Sequence, residues 1–565
     1  MADEARQRVG LAPPEPDVVS PGNGGREHLL VLLAGAALTA FLLYPISLHP
    51  GRHARADRSD GQFSLWNVAW VARTMVVDPV HLFDANIFYP RRGTLLYSET
   101  NLVAGALAVP VYWATRNPYI AHNAVMIFAF FLTTVGMYWL AAYVTGNRWG
   151  AAVSAICFAF CPFVFAHNTH IQLLMTPGIP FSMLAFHRMA DVPSRGRAVG
   201  LGLAMAFTTF CCAYYGIFVT LLIGWAVLVT AFTRRLWRDR RYWSAVGVAA
   251  AVAAGLVLPL FAPYFLLQRV GAFNRPLAES VQYAADWHSY FASAGLAHQW
   301  MLPYVTPWSD LAFPGFVALV LGLGRLGSAW GLRGRSAEVV ILYGSLTALA
   351  VWASFGPNAG LYSALFHAMP GFALMRAPVR FALIVVFGLS VLTGHAVAAL
   401  QSRARWTAGV GALLLTLAVA DHLMPLDFPP PVSPSPAYRV LARLPRAPVI
   451  EMPFFDRPRF YPRHTIYMLM STLHWMPLVN GYSDYVPPGF EENGAALAPF
   501  PYPSAFDAAH RLGVRYAMFH LDVYDEKTRA EVEERLEQFS TRLRPLYADE
   551  NTRLYEILEG ESIDR

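Results

Sequence analysis

Acidic side chains are scarce over most of this chain, so the few present are the first place to look for chemistry. Of the 37 Asp and Glu residues among 565, 20 follow position 424 and 17 precede it, five of those in the first 27 residues. The acids between 28 and 424 avoid the interiors of the long apolar runs. Asp57, Asp60, Asp78, Asp84, Glu99, Glu279, Asp286 and Asp310 fall in the longer polar segments, Asp191, Asp239 and Glu338 in short ones, and Asp421 near the end of a run. A carboxylate beside such a run can act as general base toward an acceptor hydroxyl. Asp60 (Ser59-Asp60-Gly61-Gln62) is the sharpest candidate, because it closely follows the first run and precedes the amphipathic stretch FSLWNVAWVARTM. On position alone an ordinary solvated loop acid explains it equally well.

Two further groups carry chemical potential. His167, Asn168, His170 and Gln172 share one polar turn, and two histidines three apart can hold a metal on one helix face. A metal needs a third ligand, and a polar turn that caps two helices is the commoner outcome. Arg376 and Arg380, in LMRAPVRF, have the planar fork that matches phosphate oxygens. Their ordinary alternative is snorkelling to lipid headgroups.

Other signals are dismissed. Cys157, Cys161, Cys211 and Cys212 lie in apolar runs without suitably spaced partners, and read as small buried residues. Gly322–Gly327 (GLGRLG) fits G-x-G-x-x-G, but it follows no strand and lacks the βαβ setting that makes such glycines bind a dinucleotide. Close helix packing is the better expectation.

The elements that must position these residues follow from composition. With 55% of residues apolar or aromatic, 14% charged and a mean hydropathy of +0.37, the chain lacks the polar surface of a soluble enzyme, which is about a quarter charged. Disordered and disulfide-scaffold classes are excluded as well. The net charge of +6 is not a nucleic-acid footprint, because its arginines gather in short loops between apolar runs and the acids gather after position 424. Lys527 is the only lysine among 43 basic residues, a skew that fits a GC-rich genome.

A tail at 1–27, rich in Pro, Gly and charge, is expected to be disordered. His28–His49 is long enough to cross a hydrocarbon core about 30 Å thick, and further runs lie near 119–144, 149–166, 171–189, 198–214, 216–232, 243–266, 311–326, 337–354, 381–400 and 407–424. Leu102–Trp113 is short and broken by Pro110. If it does not span, the arginine-bearing loops at 145–148, 188–197, 234–241, 325–335 and 401–405 all fall on one side, the cytoplasmic side by the positive-inside rule. About eleven spans with a cytoplasmic N-terminus follow. Arg52, Arg55 and Arg58 pull the other way, but long loops obey the rule poorly.

The outward face then receives the first loop (50–118), the loops at 267–310 and 355–380, and the C-terminal part. Trp66 and Trp70 are expected at headgroup level on an interfacial helix. A proline-rich linker, 425–436, reads as a stiff spacer. Beyond it, 437–565 reads as a small extracytoplasmic α/β domain, with strands in APVIEMPF, VRYAMFHL and TRLYEIL and a helix in TRAEVEERLEQF. The fold class expected is mainly α, a polytopic membrane helical bundle over 28–424 with that domain appended.

Several phrases carry a family resemblance: DGQFSLWNVAW with DANIFYPRRGTLLYSE, then SDLAFPG, FGPNAGLYSALFHAMPGFALMRAPVRF and STLHWMPLVNGYSDYVPPGF. With the first span and long loop bearing an early Asp, the chain resembles the GT-C superfamily of integral-membrane glycosyltransferases, closest to the bacterial YfhO-like and PTPS-related membrane proteins. The resemblance implies a bacterial inner-membrane enzyme that moves a sugar from a polyprenyl-phosphate donor to a cell-envelope glycan, lipid or protein acceptor, with membrane lipids and no nucleic acid as partners. Asp60 matches the loop-one catalytic Asp by position, although Gly61 stands where some members carry a second acid. Arg376 and Arg380 would then hold the donor phosphate, with Glu99, His167 and His170 shaping the pocket. Trp475, Asn480, Tyr482 and Tyr485 would meet the acceptor. No cofactor is singled out, and a divalent metal stays open. The rivals are a non-catalytic envelope assembly protein of the same fold and a lipid-linked glycan transporter or flippase; the latter predicts charged residues at mid-membrane.

Overall fold

The computed structural model describes residues 24–54, 59–269, 275–307, 310–369, 371–403 and 407–558. Most of the N-terminal tail expected to be disordered, and Arg55, Asp57, Arg58 and Arg405, lie outside the described residues. The chain is mainly helical and is a multi-pass membrane protein. Among the described residues seven helices are long and apolar enough to cross a membrane, Gly25–Leu42, Pro118–Thr145, Arg148–Ala166, Ala213–Thr233, Arg240–Leu267, Gly334–Ser354 and Pro378–Gln401, and the shorter apolar helices are Leu102–Thr115, Phe316–Gly327 and Thr407–Asp421.

In chain order the body comprises α1 (Gly24–Leu42), α2 (Asp60–Val77), α3 (Leu102–Thr115), α4 (Pro118–Thr145), α5 (Arg148–Ala159), α6 (Pro162–Ala166), α7 (Ile171–Leu174), α8 (Gly178–Asp191), α9 (Arg195–Cys211), α10 (Ala213–Thr233), α11 (Arg240–Arg269), α12 (Phe316–Gly327), α13 (Gly334–Ser354), α14 (Leu361–Ala368), α15 (Ala382–Gln401) and α16 (Thr407–Asp421). Each of the eleven apolar runs is helical, but two are interrupted. The run at 149–166 breaks before Pro162 and the run at 171–189 breaks around Pro177, where a proline ring cannot continue the hydrogen-bond ladder. The polar turn at 167–170 lies between these two interrupted runs, joining α6 to α7. Helix α3 has 14 residues, about 21 Å at 1.5 Å per residue, and like α12 with 12 and α16 with 15 it is shorter than a hydrocarbon core of about 30 Å.

The arginine-bearing loops gather at one end of the bundle. Arg148 pairs with Glu27 at the start of α1 (2.6 Å), and Asn147 donates to Gln401 (2.9 Å). Arg234 and Arg335 both pair with Asp191, at 2.8 and 2.9 Å, and Arg234 also pairs with Glu338. Inside the bundle, glycine lets backbones meet: a Cβ on Gly150 would lie 2.3 Å from the carbonyl oxygen of Gly394, which brings α5 against α15. In GLGRLG only Gly322 has such a role, against Leu389 of α15, while Gly324 and Gly327 face open space.

Helix α2 corrects an expectation. Trp66 and Trp70 are buried, not at headgroup level, because their indole N–H groups find internal acceptors, the Asn86 side chain (3.1 Å) and the Leu82 carbonyl (2.9 Å). Both amphipathic faces are therefore covered, by α3 on one side and the C-terminal domain on the other.

That domain holds α17 (Ala437–Leu441), β1 (Val449–Met452), α18 (Thr465–Ser471), α19 (Phe490–Leu497), α20 (Pro503–Arg511), β2 (Tyr516–His520), α21 (Glu526–Gln538), β3 (Leu543–Ala548) and β4 (Thr552–Ile557). The sheet order is β1-β2-β4-β3, with β1 and β2 parallel and the other pairs antiparallel. Strand β3, which contains Pro545, is absent from the sequence expectation. It sits at the sheet edge, where a missing N–H is tolerated. The 425–436 segment is not a free spacer: the Phe428 carbonyl meets His53, the Pro429 carbonyl accepts from Ala54 N–H (3.0 Å), and Val432 N–H donates to Tyr119.

Candidate functional site

A cavity of about 480 Å³ opens at the end of the bundle opposite the arginine-bearing loops. Its polar part is built from the N-terminus of α2, the Ser98–Glu99 loop, the 167–172 turn, the 371–380 segment and, from the C-terminal domain, Tyr482 to Tyr485. Its apolar wall is supplied by α9, α10 and α11, through Met205, Ile217, Ala250, Ala254, Val257, Phe261 and Phe265.

Asp60 is the first residue of α2 and lines the cavity. Its carboxylate is held from two sides: Oδ2 lies 3.2 Å from His170 Nε2, and Oδ1 accepts from the Tyr482 hydroxyl at 3.3 Å. Burial opposes its charge, but the His170 and Tyr482 hydrogen bonds and the nearby Arg376 outweigh burial and hold its pKa below the ordinary value. The preceding residue, Ser59, has φ 141° and ψ −100° and makes no side-chain cap, a backbone region that costs a non-glycine residue of order 1–3 kcal/mol.

Glu99 sits deeper. Its Oε2 accepts from the Ala213 N–H that opens α10 (3.1 Å). Burial is the main influence and pushes its pKa up to about 7, with Asp484 adding to the rise and Arg380 opposing it.

Arg380 lies over the Tyr214 ring, 4.2 Å from guanidinium carbon to centroid. Its Nη1 has no hydrogen-bond partner, and among the described residues no carboxylate comes within 4 Å of it. Arg376 stacks over Tyr283 (5.0 Å) and is 3.9 Å from both Glu279 and Asp484. Arg275 is neutralised by Glu279 at 2.8 Å and lies over the Tyr485 ring.

The structure thus brings together Asp60, Glu99, His170, Arg376, Arg380, Tyr482 and Tyr485. It leaves three candidates elsewhere. His167 points away, its Nδ1 against the Phe163 carbonyl (2.8 Å) and its Nε2 toward Asp310 (3.8 Å). Trp475 packs on Trp70 (5.7 Å between centroids) and under Arg73, which makes it a domain-packing residue. Asn480 is fully buried and spends its amide on the Glu451 backbone, accepting from its N–H at 2.8 Å and donating to its carbonyl at 2.9 Å. Neither Trp475 nor Asn480 lines the cavity.

Arg275, Tyr214 and Asp484 belong to the site without having been singled out from the sequence. Arg275 had a signal, being, like Arg376, an arginine away from the short arginine-bearing loops. Tyr214 had none, because it reads as one more aromatic residue in an apolar run. Among the described residues no three His, Cys, Asp or Glu side chains converge as metal ligands. The four cysteines are free and buried.

No protein-family model matches the chain, and no curated protein matches it. Solved structures do. Over 93% of this chain and 73% of its own, the oligosaccharyltransferase AglB from Archaeoglobus fulgidus, in complex with an inhibitory peptide and a dolichol-phosphate, is similar with a TM-score of 0.47 at 12% identity. ArnT from Cupriavidus metallidurans is similar with a TM-score of 0.47 at 14% identity in the apo state, over 94% of this chain and 98% of its own. Bound to undecaprenyl phosphate it gives a TM-score of 0.46 at 13% identity, over 95% and 98%.

Proposed function

We propose that this protein is a membrane glycosyltransferase of GT-C type, moving a sugar from a lipid-phosphate donor to a hydroxyl acceptor of the cell envelope at the extracytoplasmic face. The observation that carries the reading is Arg380, a guanidinium with no carboxylate partner, in one cavity with an ionised Asp60 and an apolar wall. A half-buried cation with no carboxylate partner and an unpartnered Nη1 calls for an anion, and the wall suits an aliphatic chain attached to it.

In the reaction Asp60 takes the proton of the acceptor hydroxyl, whose oxygen forms the new bond to the anomeric carbon. The bond from that carbon to the donor phosphate oxygen breaks, and the phosphate leaves with the electron pair toward Arg380. A single-displacement attack inverts the anomeric centre. Arg376, half-engaged by two acids, orients the donor, and Glu99 in its neutral form offers a proton for a hydrogen bond. The catalytic role of Asp60 and the donor role of the arginines are part of this proposal.

Mass spectrometry of envelope glycans and lipid-linked sugars, with and without the protein, tests the reading. Loss of one glycan species with accumulation of its donor is expected, and Asp60→Asn at normal protein level should reproduce that loss. Unchanged glycans in the deletion, or full transfer by the Asp60→Asn protein, would overturn it in favour of an assembly role. Purified protein should also bind farnesyl phosphate, and Arg380→Ala should weaken that binding at least tenfold, the order expected for losing a charge-assisted contact of about 1.5–3 kcal/mol.

A further inference from the structure

We infer that Tyr482 and His170 form a two-point clamp on Asp60, so that the C-terminal domain is a working part of the membrane site and Tyr482 is a positioning residue, not an acceptor contact. The inference rests on the reading of Asp60 as the base.

The clamp has one jaw from each part of the molecule. His170, in the turn between the broken helices, faces Asp60 Oδ2 at 3.2 Å, while its Nδ1 lies 2.9 Å from the Thr169 hydroxyl. In the arrangement where Nε2 donates to Asp60, Nδ1 accepts from Thr169, which fixes the ring. Tyr482 donates to the other oxygen, Oδ1, and its ring meets Phe63 edge to face (5.9 Å, 87°). With its hydroxyl and ring both engaged, Tyr482 is poorly free to stack on a glycan. A carboxylate gripped at both oxygens cannot rotate, and it keeps lone pairs for one further proton in a fixed direction. A general base needs that fixed orientation.

Independent features show that the far jaw is rigidly mounted. Backbone pairing joins loop one to the C-terminal domain just before Tyr482, where Phe88 N–H donates to the Asn480 carbonyl (3.2 Å) and Tyr89 N–H to the Leu478 carbonyl (3.0 Å). Gly481 lies so close to Phe88 that a Cβ there would sit 2.5 Å from the ring. Thr465 donates to Gln62, two residues past Asp60 (2.9 Å), and Ser98 donates to Asp484, two residues past Tyr482 (2.9 Å). The strained Ser59 backbone is the third element, since such strain persists only where the surroundings over-determine it. Undocking the domain would remove the Tyr482 donor and leave the carboxylate hinged on His170 alone.

The test reads Asp60 itself. Full-length protein in lipid nanodiscs is treated with dicyclohexylcarbodiimide, which modifies carboxyl groups in their protonated form, and labelling of the Asp60 peptide is followed by mass spectrometry across pH. Tyr482→Phe removes a donor to the ionised form, so the labelling midpoint should move to higher pH. His170→Gln should move it the same way, and serves if Tyr482→Phe fails to yield folded protein. In cells, Tyr482→Phe should lower the rate of transfer more than the apparent affinity for donor. A labelling profile identical to wild type in folded Tyr482→Phe protein would overturn the clamp. Transfer retained by Asp60→Asn would instead overturn the base assignment, whatever the labelling shows, so the two failures are distinguishable.

Discussion

Glu99 and Ala213 meet at the floor of the cavity, the carboxyl oxygen 3.1 Å from the backbone N–H that begins α10. The N-cap residue of that helix, Cys212, makes no side-chain cap, so a glutamate 114 positions earlier in the chain satisfies the orphan donor.

The burial of Glu99, which outweighs the Ala213 hydrogen bond to its charged form, predicts a pH dependence. The folded-state pKa of Glu99 is raised from 4.5 to about 7. The neutral form is thus favoured on folding, and the associated stability is fully present below pH 4.5 and lost as the pH rises through 7. After discounting for water reaching the group through the cavity, the swing is about 2 kcal/mol. Thermal unfolding of detergent-solubilised protein should show a midpoint that falls between pH 4.5 and about 7, and Glu99→Gln should flatten that fall. A wild-type slope in the variant would remove Glu99 as its source.

Arg234 is the keystone of the opposite end. It binds Glu338 through two nitrogens, each at 2.7 Å, and Asp191 at 2.8 Å, while Arg335 and the Tyr143 hydroxyl complete the coordination of Asp191. Arg234→Ala strands Glu338, which is buried. The loss should be about 3 kcal/mol, at the low end for an uncompensated buried charge because the cluster is partly wet. Arg234→Lys should recover only part of it, since a point charge cannot reproduce the two-toothed contact. Melting temperatures of the two variants check the order.

How much of this was legible in the sequence depends on the range of the interaction. The spans were readable because hydrocarbon imposes long apolar runs, and the pairing of arginine-bearing loops at one end because charge avoids the core. Asp60, His170, Arg376 and Arg380 were readable because polar and charged residues outside the short arginine-bearing loops stand out in such a chain. The burial of Trp66 and Trp70 was not, because it depends on Asn86 and on a domain some 400 residues away in sequence, and an amphipathic helix looks the same against lipid as against protein. Asn480 and Trp475 could not be placed for the same reason: polar and aromatic types suit a glycan contact or domain packing equally until the Glu451 backbone and the Trp70 ring are seen against them. Strand β3 was hidden by Pro545, which marks a sheet edge as readily as a loop.

Asn480 gives a sharp contrast between packing and binding. Asn480→Ala leaves the Glu451 N–H and carbonyl without partners inside the domain, at a cost of about 1–3 kcal/mol for each buried group left unsatisfied. The melting temperature should fall, while farnesyl phosphate binding per folded molecule should stay at the wild-type value. A selective loss of binding with unchanged stability would return Asn480 to the site.

Orientation can be read with a single cysteine. Ser433 is exposed on the segment between the last membrane helix and the C-terminal domain, at the end of the molecule that holds the cavity. All four native cysteines are buried and free, so the wild-type protein should react little with a membrane-impermeant maleimide. Ser433→Cys should be labelled in intact cells, while a cysteine in place of Arg240, at the arginine-rich end, should be labelled only after permeabilisation. The reverse pattern would put the cavity on the cytoplasmic face, and with it the acceptor. Because the short loops at 145–148, 188–197 and 234–241 alternate with the turns at the cavity end, inverting one would require inverting all of them, so the two cysteines together fix the orientation of the whole bundle.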